Sequence, residues 1–175
     1  MGNIFGGLVL VLFDFYFNIG SHSFNILPSF VGYLLILRGM AAVEGSALWR
    51  KNDLVIGAFV YSLLHWVGLA LVGGRIASDL IFIFGVAAAV LQLLVTRRIA
   101  KGFLELEREI GADKYGERLM GGWKLLVIAM VGANILLLLG LSAFTVIINF
   151  VGAFLYLLCY CQAWKWYRDN QPSVR

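Results

Sequence analysis

Charge is scarce in this chain. Lys, Arg, Asp and Glu make up 14% of its 175 residues, where a soluble domain carries about a quarter. Hydrophobic residues make up 61%, and the mean hydropathy is +0.87. Too few charges remain to coat a globule, so lipid rather than water is the expected solvent. Proline, cysteine and histidine are also rare, with two of each. On a helix, residues two apart point about 200° from each other. Cys159 and Cys161 therefore neither pair nor share a metal, and they read as packing residues. Catalytic motifs are missing too: there is no His-Glu-x-x-His, Cys-x-x-Cys, Gly-x-Gly-Asp, Glu-Glu-x-x-x-Arg, P-loop or Gly-x-Gly-x-x-Gly. Neither an enzyme, a metal site nor a cofactor is expected.

What is present is a series of apolar runs. Residues 15–37, 54–74, 80–96 and 125–164 carry no Lys, Arg, Asp or Glu, and about 20 apolar residues in a helix cross a bilayer. The expected fold is all-α, a single polytopic transmembrane helical bundle over 1–175. Its six helices fall at about 3–17, 26–43, 54–73, 78–97, 123–140 and 144–167. Pro28 is placed in the first turn of the second helix, where a missing N–H is harmless. Beyond Thr96, Ile99, Phe103, Leu106 and Ile110 recur at helical spacing among charges. That pattern predicts an amphipathic cytoplasmic extension, with a loop to about residue 122, lying on the membrane or against a partner helix.

Six crossings sort the basic residues. Of the 14 Lys and Arg, only Arg75 falls on the outer side. Such a bias places both termini in the cytoplasm, with a plasma or inner cell membrane as location. Trp49, Trp123, Trp164 and Trp166 then stand beside the inner basic clusters as an interfacial belt. The net charge of +4 and pI near 9.2 are explained by loops held at an anionic leaflet, and nucleic acid is not an expected partner. No cleavable signal peptide is expected, because Met-Gly-Asn-Ile-Phe-Gly lacks a basic n-region. Gly6 also removes the myristoylation pattern.

Small residues recur at packing intervals: Gly32 and Gly39, Gly85 and Ala89, Ala129 and Ala133. Such positions let helix backbones approach closely. Phe30-Val31-Gly32 recurs as Phe150-Val151-Gly152. Three tandem helical hairpins would leave that pattern, and so would chance in a chain this rich in Phe, Val and Gly.

Ionisable residues inside a membrane are functional candidates because burying them in hydrocarbon costs several kcal/mol. Asp14 interrupts the first apolar run. It either faces an outward cavity with His22, Arg75 and Asp79, or sits solvated at the interface. Arg75 and Asp79 have the spacing to pair on a helix. His65 lies deepest. It is either satisfied by Tyr61, Ser62 or a neighbouring Asn or Gln, or it contacts a substrate or relays protons. Asp14, His22 and Asp79 come from separate segments without ligand spacing, so no metal is expected.

Residues 13–39 carry a more specific pattern, Phe13-Asp14-Phe15 followed by Asn25-Ile26-Leu27-Pro28-Ser29-Phe30-Val31-Gly32-Tyr33 and Gly39. It resembles the N-terminal signature of small multi-pass membrane proteins of Gram-positive (Firmicute-type) bacteria, a family without an assigned activity. Ser29 stands where that signature carries an acidic residue. The resemblance implies membrane location and topology, not chemistry.

Two function classes follow. One is a non-catalytic membrane module, a sensor, immunity protein or accessory subunit offering the 97–124 segment to a membrane partner protein. The alternative is a small transporter or channel for an ion or polar solute, a homo-oligomer because six short helices enclose little. Polar groups converging at midplane would favour transport. An extension packed on its own helices would weaken the docking idea.

Overall fold

The computed structural model describes the backbone of residues 1–13, 16–19, 22–25, 28–43, 49, 52–72, 78–110 and 114–170. It describes the side chains of the same set except 16–19, 22–25, 69–72, 78–82 and 110. Among these residues the protein is a helical bundle of six α-helices with one two-stranded hairpin. They are α1 (Gly2–Leu12), β1 (Tyr16–Ile19), β2 (His22–Asn25), α2 (Ser29–Ala41), α3 (Asp53–Val72), α4 (Ser78–Ile110), α5 (Tyr115–Leu138) and α6 (Ser142–Asn170).

The first helix is shorter than its apolar run. It stops at Leu12, and Tyr16, Phe17, Asn18 and Ile19 pair antiparallel with Asn25, Phe24, Ser23 and His22. Aromatic and β-branched residues suit a strand as well as a membrane helix. The second helix begins at Ser29, with Pro28 just before it in an extended conformation. Pro28 thus stands outside the helix rather than in its first turn, and positions 26 and 27 of the expected start lie outside the described residues.

The other boundaries differ in one place. Helix α4 runs unbroken through its amphipathic extension to Ile110. Helix α5 begins at Tyr115, inside the stretch expected to be loop. Gly116 and Gly122 there sit at close contacts between helices: a Cβ at Gly116 would stand 2.8 Å from the Leu104 Cα, and one at Gly122 3.0 Å from the Cys159 side chain at Sγ. The α5–α6 turn is closed by Gly140 at φ +78°, with Gly140 N–H donating to Leu137 O and Leu141 N–H to Leu136 O. Those two bonds are the Schellman arrangement that ends a helix.

Consecutive helices pack on each other, and α6 closes the ring against α1. Their contacts fix directions. Gly39 meets Ile4 while Gly32 meets Gly7 and Val11, so α1 and α2 are antiparallel. Gly122 meets Cys159, Gly152 meets Ala129, and Thr145 Oγ1 donates to Ala133 O, so α5 and α6 are antiparallel too. Tyr160 reaches Met1 while Phe13 meets Phe150. The described Lys and Arg side chains therefore gather towards the end that holds Met1, opposite the hairpin.

The small-residue pairs fare unequally. Gly32 and Gly39 both face α1, where a Cβ at Gly7 would stand 2.5 Å from Gly32 O. Ala133 is buried and Ala129 lies against Gly152. Gly85 faces open space, with nothing within 4 Å of a Cβ.

Three helices are long and apolar enough to cross a membrane: Ile83–Glu109 within α4, then α5 and α6. They expose large apolar side chains to the surroundings along their length, with Ile128 at 67% within α5 and Leu138 at 73% at its end. A water-soluble monomer does not leave such a surface open. The described part of α3 and the helices α1 and α2 are apolar and shorter.

Candidate functional site

The closed core lies at the Met1 end. Trp49, Phe103, Tyr156 and Tyr160 are fully buried there beside Ile4, Leu8, Ile36 and Met40. Phe103 meets Trp49 and Tyr160 edge-on, both at 5.4 Å. Tyr156 Oη donates to Thr96 O at 2.8 Å and Tyr160 Oη to Met1 O at 3.1 Å, so each buried hydroxyl has a partner. Trp49 accordingly belongs to the core, under α4 at Gly102, and not to an interfacial belt. Trp123, Trp164 and Trp166 are half-buried. Arg97 lies 5.3 Å over the Trp123 ring, whose Nε1–H donates to Leu93 O.

The extension of α4 is part of this core. Ile99 and Phe103 are fully buried and Leu106 is 3% exposed. The apolar face expected to meet a partner or the membrane surface meets the protein's own helices instead. Its charged flank remains outside, with Lys101, Arg108 and Glu109 exposed.

Glu107 was not legible as a site in the sequence. It is fully buried on α4, and its carboxylate accepts two backbone N–H bonds, from Tyr115 at 2.7 Å and Gly116 at 2.6 Å. Those are the first two residues of α5, whose N-cap residue Lys114 supplies no side-chain bond. A helix N-terminus presents free N–H groups and a partial positive charge. Glu107 meets both from a neighbouring helix, clamping α5 to α4. Only tertiary structure brings these residues together; the run Glu105-Leu106-Glu107-Arg108 reads as surface.

The expected polar site falls mostly outside the described residues. Asp14 and Arg75 lie there entirely. His22 is in β2 and Asp79 in the first turn of α4, both towards the hairpin end, and their side chains are not among those described. His65 is described. Its ring stacks on Tyr61 at 6.1 Å and meets Phe84 at 6.0 Å. Tyr61 donates its hydroxyl to Phe84 O at 2.7 Å. His65 Nε2 is buried with no hydrogen-bond partner among the described residues, and so is Asn149 Oδ1. Asn134 donates to Met130 O, along its own helix.

Among the described residues, no three His, Cys, Asp or Glu side chains gather as a metal would require, and Cys159 and Cys161 are free thiols. No family of known proteins, curated protein or solved structure matches the chain.

Proposed function

We propose that the chain is a multi-pass protein of the bacterial cell membrane with both termini in the cytoplasm, serving as a non-catalytic module: a sensor, immunity protein or accessory subunit. One observation carries this reading. The interior at the basic end is filled by packed rings and a carboxylate engaged in holding two helices together, which leaves the charged outer surface of that end as the place to meet a partner. Burial of Ile99, Phe103 and Leu106 narrows the earlier docking idea, since the surface on offer is polar, not an apolar helix face. The lopsided Lys and Arg distribution supports the orientation. The likeness of residues 13–39 to small membrane proteins of Gram-positive bacteria supports the location.

Six crossings need the short first pair to span: at about 1.5 Å per residue α1 and α2 are about 17 and 20 Å long, and a bilayer thinned around them accommodates the mismatch. The hairpin's open edges then belong at the outer polar interface, because unpaired backbone groups are not tolerated in hydrocarbon.

The test is crosslinked copurification from native membranes, set beside solute flux in proteoliposomes of the purified chain. A defined membrane partner, lost when Lys101 and Arg108 are replaced by Glu, supports the module. Flux by the chain alone contradicts it. A small oligomeric transporter is the second reading, and it draws on the buried His65 Nε2 and Asn149 Oδ1, which have no hydrogen-bond partner among the described residues.

A further inference from the structure

The seam between α5 and α6 holds two clefts, one beyond the other. Nearer the basic end, Tyr115 and Arg118 of α5 and Gln162, Lys165 and Trp166 of α6 line a cleft of about 450 Å³. Towards the opposite end, Leu125, Ile128, Ile147, Val151 and Leu155 wall an apolar groove of about 280 Å³. Ala129, lying directly against Gly152, forms its floor. Arg118 and Leu125 are two turns apart on α5, and so are Gln162 and Leu155 on α6. Residues at that interval share a helix face, so both clefts open on the same side, about 10 Å from one to the other.

The chemistry changes along the seam. Arg118 and Lys165 are exposed and have no ion-pair partner among the described residues. Asp169, the carboxylate in the cleft, has Arg168 Nε 3.3 Å from it. Tyr115 stacks on Trp166 at 5.9 Å, and Arg118 lies 6.0 Å from the Tyr115 ring. The cation is thus presented from an aromatic shelf of the kind found at headgroup depth. Below it, Ile128 and Ile147 leave 67% and 58% of their surface uncovered.

We infer that this seam binds one anionic phospholipid of the leaflet at the basic end, its phosphate at Arg118 and Lys165 and an acyl chain in the groove. The inference rests on the membrane reading above. A phosphodiester needs cations at headgroup depth, and its acyl chain needs an apolar channel starting a turn or two deeper. The seam supplies both in that order. A second copy docked side by side in the same orientation would instead set Arg118 and Lys165 against their own counterparts.

The test uses the purified full chain in nanodiscs of phosphatidylglycerol or phosphatidylcholine, with retained lipid read by native mass spectrometry. Wild-type chain retains phosphatidylglycerol about tenfold over phosphatidylcholine, and Arg118→Ala with Lys165→Ala abolishes that preference. Arg118→Lys with Lys165→Arg keeps it. Val151→Trp, which fills the groove, lowers retention. Lys101→Ala with Arg108→Ala leaves it unchanged. A wild-type preference for phosphatidylglycerol kept by the Arg118→Ala, Lys165→Ala chain overturns the proposal, as does loss of that preference in the Lys101→Ala, Arg108→Ala chain. Displacement of the lipid by millimolar inorganic phosphate overturns it in favour of a free-phosphate site. A dimer that Val151→Trp dissociates while lipid stays bound overturns it in favour of a second copy. Alkaline extraction separates the two readings. A chain washed from the membrane overturns both, whereas one that stays but shows no lipid preference overturns this proposal alone.

Discussion

Glu107 on α4 and Gly116 on α5 are joined by a 2.6 Å bond from the Gly116 amide to Glu107 Oε2, with the Tyr115 amide on the other oxygen. The carboxylate is fully buried. It substitutes for an N-cap and ties the longest helix to its successor.

Glu107→Ala leaves two helix N-terminal donors without their acceptor and is expected to destabilise the bundle by about 2–4 kcal/mol. Glu107→Gln keeps the shape and one acceptor oxygen but sets an NH₂ against an N–H, and should lose about half as much. Thermal unfolding in a fixed detergent reads both. A loss below about 0.5 kcal/mol for the alanine variant would show the clamp to be incidental.

Two glycine-to-alanine changes should have opposite signs. At Gly7 the new methyl would stand 2.5 Å from Gly32 O, so Gly7→Ala forces α1 away from α2 and costs about 1–3 kcal/mol. At Gly85 nothing lies within 4 Å, so Gly85→Ala gains about 0.5–1 kcal/mol of helix propensity. Matching effects at the two sites would contradict the close α1–α2 approach.

Tyr156→Phe removes the hydroxyl that donates to Thr96 O at 2.8 Å while preserving the ring. The Thr96 carbonyl sits in mid-helix and keeps its place in the backbone ladder, so the expected loss is about 0.5–1.5 kcal/mol. Unfolding midpoints of the purified variant check this.

His65→Phe preserves the stack between Tyr61 and Phe84 and discards a nitrogen that has no partner among the described residues. Stability should change by less than about 0.5 kcal/mol. Loss of flux or signalling with stability intact would assign His65 a functional role, and a large stability loss would instead reveal a partner for Nε2.

Charge-free apolar runs carried most of the architecture, and helical spacing carried the extension of α4. Ile99, Phe103 and Leu106 marked the extension of α4 correctly, and the end of α6 lay within three residues of expectation. Two failures share a cause. Tyr16–Ile19 is apolar enough for a helix and β-branched or aromatic enough for a strand, and only pairing with His22–Asn25 decides between them. Gly116 and Gly122 read as loop because their purpose, close contact with the α4 backbone and with the Cys159 side chain of α6, belongs to tertiary structure. Trp49 shows the same limit, since a Trp beside Arg50 and Lys51 reads as interfacial until Phe103 and Gly102 are seen to cover it. For the polar site less was legible, because its expected members lie in separate segments and only His65 is placed with its side chain.

The most direct test of a membrane-spanning bundle with one basic, cytoplasmic end is single-cysteine labelling in intact cells. On a Cys159→Ser, Cys161→Ser background, an impermeant maleimide should reach Ser21→Cys and Leu141→Cys from outside. It should reach Lys101→Cys, Lys114→Cys and Asn170→Cys only after permeabilisation. Labelling of Lys114→Cys and Leu141→Cys from the same side of the intact membrane would contradict the crossing of α5, and with it the orientation of the whole bundle.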